Sequence, residues 1–466
     1  MAQTDIKTLE KVENIIKKAP KLTLNDAAAA TGLAVNEARN LMLTLVQRYY
    51  CKVQVTENGD LLYDFGQLQR RNEKTWEERK EEIKKQLWNA FKVFFKVWIT
   101  VTLVVYFFIF VAILITALIA ANSKDDKKKS SDTYGDALKG ISKMIELLLR
   151  WQFYRDIIYY EKDEYGQPYK HYKPASDLQK NEKSFIVAVY DFVFGPPRVE
   201  TDAEAHFKEI AAFCRKNNGV ISLQEIKALT GANTEKAEKL MADAVVRFNG
   251  SIELSPEGVL YADLYELTRS KNAKQDAEIV WFWDEYEPEY EFTGNSNGKN
   301  ALIFFLNAFN WVFSSVFLFG GNNEEMAIWI GLGFVPFVFS LLFFAIPVGR
   351  YFYLQPLIKQ RNIDNIRKKI WKVFYLDTKT IISTETIEKT ALTTPNGKKP
   401  MTTEALKKIL QEEMHDWNAQ PHFNENGTTD YDFSALRNVQ TTMQTIRKNR
   451  QQSNNDFGNV LYELDN

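Results

Sequence analysis

The run from Val97 to Ala121, VWITVTLVVYFFIFVAILITALIAA, holds 25 residues without one charge. A helix rises 1.5 Å per residue, so this run outreaches a hydrocarbon core of about 30 Å. A core helix of a soluble domain would show a polar face over such a length, and this run shows none. Ala301 to Phe319 and Met326 to Val348 have the same character, and the short acidic link Gly320-Gly-Asn-Asn-Glu-Glu325 makes them a helical hairpin. Trp281, Trp283, Tyr286 and Tyr290 precede the hairpin and Arg350, Tyr351 and Tyr353 follow it, residue types that favour a membrane interface. Pro336 and Pro347 fit such spans because neighbouring helices can satisfy freed backbone groups. Asn307 and Asn310 are the polar residues inside the second span, and helix–helix hydrogen bonding is the role expected of them, with lining a solute path as the sharper alternative.

Charge around the spans raises a question of parity. Arg350, Lys359, Arg361 and Arg367 to Lys369 follow the third span, while the hairpin link has no Lys or Arg, so both hairpin ends are expected in the cytoplasm. One crossing by the first span would then put residues 1–96 outside. Either that segment is exported or part of 140–196 enters the membrane, for which Phe185 to Phe194, FIVAVYDFVF, is the candidate although too short to span. The opening residues have no apolar signal region and no Arg/Ser-rich transit character, so the chain is expected in a bacterial inner (cytoplasmic) membrane as a multi-pass protein, most soluble modules cytoplasmic.

Outside the spans the chain repeats itself. Leu22 to Phe65 aligns with Ile221 to Leu264 without a gap, 199 positions apart. Thr31-Gly32, Leu41-Met42, Arg48, Gly59, Leu61 and Asp64 recur as Thr230-Gly231, Leu240-Met241, Arg247, Gly258, Leu260 and Asp263. Each copy reads as an amphipathic helix (about 5–18 or 202–217), a short helix (25–30 or 224–229), a Thr-Gly turn, a longer helix capped by Asn36 or Thr234, and a hairpin turning at Glu57-Asn-Gly59 or Pro256-Glu-Gly258. Helix, helix, turn, helix, hairpin is the winged-helix order. A weaker third copy has an opening helix at 364–375, a helix at 403–414, an insertion at about 391–400, and Glu425-Asn-Gly427 with Tyr431-Asp-Phe433 mirroring Glu57-Asn-Gly59 with Tyr63-Asp-Phe65.

Winged helices suggest DNA, but the charges argue otherwise. Residues 1–66 carry eight Lys/Arg and eight Asp/Glu, and residues 202–266 carry seven and eleven. The helices that would read a groove present Asn36, Glu37, Arg39 and Asn40, or Glu235, Lys236, Glu238 and Lys239. Duplex binding needs a basic face that displaces counterions, so these two helices are candidate protein-interaction surfaces instead.

The remaining segments are plainer. Gln69 to Gln86 reads as a charged helical stalk, 122–200 as a polar linker with an amphipathic interfacial stretch at Met144 to Tyr160, 268–300 as an acidic aromatic linker, and 441–466 as a tail. Walker, dinucleotide, HExxH and nucleophile-elbow motifs are absent from the sequence. His415 and His422 flank Pro421 at a spacing with no metal signature. Cys51 and Cys214 are too few for a disulfide framework and are expected as buried free thiols. No catalytic residue, metal or cofactor is therefore expected.

The order of repeat, apolar span, "FVFGPP" (Phe192 to Pro197), second repeat, and a hairpin ending "FSLLFFAIPVGR" (Phe339 to Arg350) resembles an uncharacterised membrane-protein family of cyanobacteria and chloroplasts. The likeness covers roughly residues 20–350. Some plant members are labelled iron–sulfur cluster biosynthesis proteins, but two cysteines cannot hold a cluster alone.

The expectation is an α-helical membrane protein with α+β winged-helix modules: one single span, one hairpin, and two to three repeats. Its expected role is a non-enzymatic scaffold or adaptor in the bilayer that binds a protein partner or itself, with nucleic acid disfavoured. A membrane-tethered DNA-binding regulator and a transporter or channel subunit are the alternatives.

Overall fold

The computed structural model describes residues 6–56, 59–71, 76–122, 183–196, 204–269, 279–285, 290–320, 326–392, 403–425, 428–450 and 460–465. The interfacial stretch expected at Met144 to Tyr160, the link 321–325 and most of the insertion at 391–400 lie outside these residues. The chain is mostly helical, with three long apolar helices and small antiparallel sheets, and it divides into two units.

Residues 1–74, 201–286 and 362–466 make one unit. One element order occurs in it three times. The first copy runs α1 (Ile6–Lys18), β1 (Lys21–Thr23), α2 (Leu24–Thr31), α3 (Val35–Arg48), β2 (Lys52–Thr56), β3 (Leu61–Asp64). The second, after helix α4 (Trp76–Asn122) and helix α5 (Phe185–Phe194) of the other unit, runs α6 (Ala205–Lys216), β4 (Val220–Ser222), α7 (Leu223–Thr230), α8 (Thr234–Arg247), β5 (Ser251–Leu254), β6 (Leu260–Asp263). Helix α9 (Asn297–Phe319) intervenes in the chain, and the third copy opens with the end of α10 (Val335–Leu376), then β7 (Ile381–Ser383), α11 (Thr384–Leu392), α12 (Thr403–Asp416), β8 (Gln420–Phe423), β9 (Thr429–Asp432), before closing helix α13 (Ser434–Asn449).

The likeness extends to single hydrogen bonds. Phe65, Leu264 and Phe433 each donate their backbone N–H to the residue before the first short strand: Pro20, Gly219 and Thr380. Asp64, Asp263 and Asp432 each accept the N–H two residues on, ending the last strand of the copy in the same way. In each copy the first short strand pairs antiparallel with the last, so the sheets run β1-β3-β2, β4-β6-β5 and β7-β9-β8.

The local chemistry explains the helix starts. Thr23 and Ser222 end β1 and β4 and also cap α2 and α7 in full capping boxes with Asp26 and Glu225. Gly32 and Gly231 end these helices in the left-handed conformation, where a Cβ is costly. The caps of the longer helices differ from expectation. Asn36 lies one residue inside α3, whose N-cap is Ala34 without a side-chain bond, and Asn233, not Thr234, caps α8. The sequence reading lacked the three-residue strands, which are too short for a period-2 pattern to appear.

Two boundaries also differ. The stretch 441–466, read as a tail, instead carries the end of α13 and a strand, β10 (Val460–Asp465). β10 pairs antiparallel with β2, giving a four-stranded sheet β1-β3-β2-β10. The opening helix of the third copy is no separate element but the final turns of α10.

Residues 75–200 and 287–361 make the second unit. Helix α4 (Trp76–Asn122) joins the charged run from Trp76 to the apolar run in one continuous rod. Helix α9 (Asn297–Phe319) is the second apolar helix, and the third begins at Met326, passes a π-helical turn Trp329–Phe334, and continues as α10. Gly333 in that turn packs on the backbone of Phe317 and Leu318. All three are long and apolar enough to cross a membrane.

Side-chain contacts fix their directions. Phe107 meets Phe309 and Phe110 meets Phe313 and Phe317, so α4 and α9 run parallel. Phe304 meets Phe344 while Phe319 meets Phe337, so α10 runs antiparallel to both. The start of the apolar run in α4, the start of α9 and residues 344–350 of α10 therefore share one end. The short helix α5 (Phe185–Phe194) packs there, its Phe185, Ala188, Val189 and Val193 in one apolar cluster with Ile99, Leu103, Ile303, Leu306 and Phe343. Asn122 and Lys183 accordingly belong to opposite ends of the bundle.

Candidate functional site

The four residues singled out on α3, Asn36, Glu37, Arg39 and Asn40, are all exposed, as are Glu235, Lys236, Glu238 and Lys239 on α8. Amphipathic spacing explains this: Ala38, Leu41, Met42 and Leu45 turn inward, as do Ala237, Met241 and Ala244. On α8 the charges face each other, and the Lys239 ammonium sits 3.1 Å from Glu235. Exposed Leu43 extends the α3 surface and exposed Val246 the α8 surface, giving each an apolar edge.

The copies are held together at the capping boxes. Asp26, the acid of the first box, lies 3.2 Å from Arg215 of α6, with both side chains almost fully buried. Glu225, the acid of the second, accepts from Arg447 of α13 at 2.7 Å. The same acid thus finishes a helix start and receives an arginine from the next copy. The Thr-Gly turns are used alike: the Gly32 carbonyl accepts from Arg247 at 3.0 Å and the Gly231 carbonyl from Arg367 at 3.2 Å. A Cβ on Gly32 would meet the Glu204 carbonyl at 2.6 Å, and one on Gly231 would meet the Phe282 ring at 2.4 Å.

Buried charge concentrates where the second copy meets the third. The Lys227 ammonium bonds the Asp416 carbonyl and the Thr234 hydroxyl and lies 4.5 Å from the Trp417 ring centre. Burial pushes the Asp416 carboxyl up, but the Lys227 ammonium with the Thr234 hydroxyl and N–H outweigh it, so it titrates below the ordinary carboxylate range. Glu413 shifts the other way: burial raises it in spite of Arg367 and the Trp371 indole N–H. Cys51 and Cys214 are buried free thiols, and burial pushes Cys51 up to about 12. Among the described residues no cluster of three His, Cys, Asp or Glu could hold a metal.

In the helical unit, Asn310 donates its amide to the Leu103 carbonyl of α4 at 2.9 Å, and Asn307 donates to the Ser340 carbonyl of α10 at 3.1 Å. The two asparagines tie the second helix to the first and the third. The sequence reading missed a polar girdle at the end where α5 packs. Lys183 and Asp191 form a buried pair across α5. Lys299 of α9 donates to the Lys183 carbonyl, Asn295 to the Ala188 carbonyl, and Arg350 of α10 to the carbonyls of Val193 and Phe292. Lys96 of α4 rests on the Tyr190 ring. These side chains supply hydrogen bonds to both ends of α5 and fix it among the long helices. The signal available was one aspartate inside FIVAVYDFVF with a lysine eight residues earlier, two helical turns away.

The chain is 24% identical over 375 residues to an uncharacterized chloroplastic protein of Arabidopsis thaliana, spanning 75% of this chain and 68% of that protein. That relative carries no iron–sulfur label, and its chloroplast location lends no support to the bacterial inner membrane expected from the sequence. No protein-family model matches, and no solved structure matches. What the chain is similar to is thus a chloroplastic protein whose own role is uncharacterized.

Proposed function

We propose that this chain is a non-enzymatic multi-pass membrane scaffold that presents three winged-helix modules for binding a protein partner. Its three apolar helices would cross the bilayer, and α5 would enter it from one side as a short re-entrant helix. Lys92, Lys96, Lys183, Lys299, Arg350, Lys359 and Arg361 all sit at or beyond one end of the bundle, and the positive-inside rule assigns that end to the side where synthesis occurs. On this reading residues 76–96, Lys183 and both hairpin ends share one side and Asn122 lies on the other, so the first module need not be exported.

The observation that carries the scaffold reading is the pairing of exposed α3 and α8 faces with seams built from buried arginine–carboxylate contacts. The seams hold the modules as an array, and the array leaves its helices outward with mixed charge and an apolar edge, the composition of a protein interface rather than of a phosphate-binding face. The test is a photo-crosslinking residue placed at Asn40 or Lys239 of the full-length protein in its membrane. A discrete protein adduct, reduced by Arg39→Glu or Leu43→Asp, supports the reading. Adducts to lipid or nucleic acid alone would reject it.

A further inference from the structure

Three equivalent sheet edges have three different fates. β2, β5 and β8 each form the outer strand of their module's hairpin. β2 is covered by β10. β8 carries Pro421, which removes a backbone donor from that strand. β5 has neither protection, and among the described residues no strand pairs with its outer edge. The exposure of its side chains follows. Val53 and Val55 of β2 are half-buried, whereas their counterparts 199 positions on, Ile252 and Leu254, are 50% and 67% exposed. Leu260, opposite Leu254, is also exposed.

We propose that the β5 edge is a strand-addition site for an extended segment of a partner protein. The segment places apolar residues opposite Ile252 and Leu254 and a Lys or Arg opposite Glu253. Strand addition supplies backbone hydrogen bonds, and the alternate side chains choose the sequence. The first module gives the register: Leu464, Glu463 and Tyr462 stand opposite Val53, Gln54 and Val55, with Glu463 held by Lys52 at 3.1 Å. Moved by 199 positions, that register puts the incoming residues opposite Ile252, Glu253 and Leu254. Ser251 and Glu253 replace Lys52 and Gln54, so the charge preference inverts. A second copy of β10 would set Glu463 against Glu253, and like charges directly opposite destabilise a pair. Glu253 and Glu257 likewise disfavour an anionic lipid surface.

The proposal rests on the scaffold reading and names the chemistry of its partner. Its test uses the full-length protein in uncharged micelles and two labelled nine-residue peptides, the sequence of residues 458–466 and its Glu463→Lys form. The expected result is saturable binding of the Glu463→Lys peptide, about tenfold tighter than the native one. Glu253→Lys in the protein reverses that preference, and Leu254→Asp weakens both peptides. Binding of neither peptide, or a preference that follows Lys52→Glu instead of Glu253→Lys, overturns the proposal. So does quenching of a probe at position 254 by brominated lipid in bilayer discs, which would make the edge a membrane contact. If the peptides fail while the adducts at Asn40 or Lys239 persist, the β5 site is refuted and the scaffold reading stands.

Discussion

The Lys183 ammonium lies 2.8 Å from the Asp191 carboxylate, and the two side chains are 3% and 2% exposed. Asp191 lies in α5 and Lys183 two residues before its start, beside the apolar cluster that joins α5 to the long helices. Removing one partner strands the other charge. Asp191→Asn or Lys183→Met should each lower stability by about 3–5 kcal/mol. The double variant Lys183→Met with Asp191→Leu should cost less than either single change. Unfolding of the detergent-solubilised protein by heat or SDS checks this, and additive single and double costs would count against the pair.

Asn307 and Asn310 offer a milder perturbation. Each loses one interhelical hydrogen bond on change to Leu, for which about 0.6–2 kcal/mol is expected. Their separate positions predict separate effects: Asn310→Leu should loosen α9 from α4, and Asn307→Leu should loosen α9 from α10. Disulfide-trapping rates between cysteines placed on each helix pair would distinguish the two.

The side on which each end of the bundle lies can be measured directly. Native Cys51 and Cys214 are buried with raised thiols, so membrane-impermeant maleimide will report engineered sites. Lys84→Cys and Lys359→Cys should label from the same side, and Ile119→Cys from the other. Labelling of Lys84→Cys and Lys359→Cys from opposite sides would remove the topology proposed above.

The seam between second and third modules has a predictable acid limit. Asp416 titrates below its ordinary 3.8 in the folded chain, so the folded state binds this proton less readily than the unfolded one. The stability it lends is present above the unfolded value and is lost as pH falls through the depressed one. Asp416→Asn should remove that loss at pH below 3.8 and lower stability at neutral pH, measured by limited proteolysis of the full-length protein across pH 2–7.

Much of the fold could be read from residues alone because its signals are local. Thr-Gly, Leu-Met and Tyr-Asp-Phe recur at fixed spacing, and each marks a turn, an inward helix face or a strand end. The apolar runs announce themselves by length. What escaped is made by distance. β10 reads VLYELD within polar sequence, and only pairing with Lys52–Thr56 makes it a strand. Asp191 hides as one acid in an apolar decamer, since its meaning depends on Lys183 and on the helices that enclose both. Asp26 and Glu225 fell inside the short helices read at 25–30 and 224–229, but their use as arginine receptors requires knowing which modules touch. The outward faces of α3 and α8 were legible as exposed, and no side-chain pattern names a partner for them.

The pairing of β10 with β2 sets a schedule for biosynthesis. Lys52 and Glu463 stand 411 positions apart, so the sheet of the first copy remains incomplete until all the intervening chain has been made. Through that interval its outer strand offers unpaired amides and carbonyls to any neighbour, a period of risk for mispairing between nascent copies. Slowing translation just before residue 460 should therefore lower the yield of correctly assembled protein more than an equal delay before residue 50.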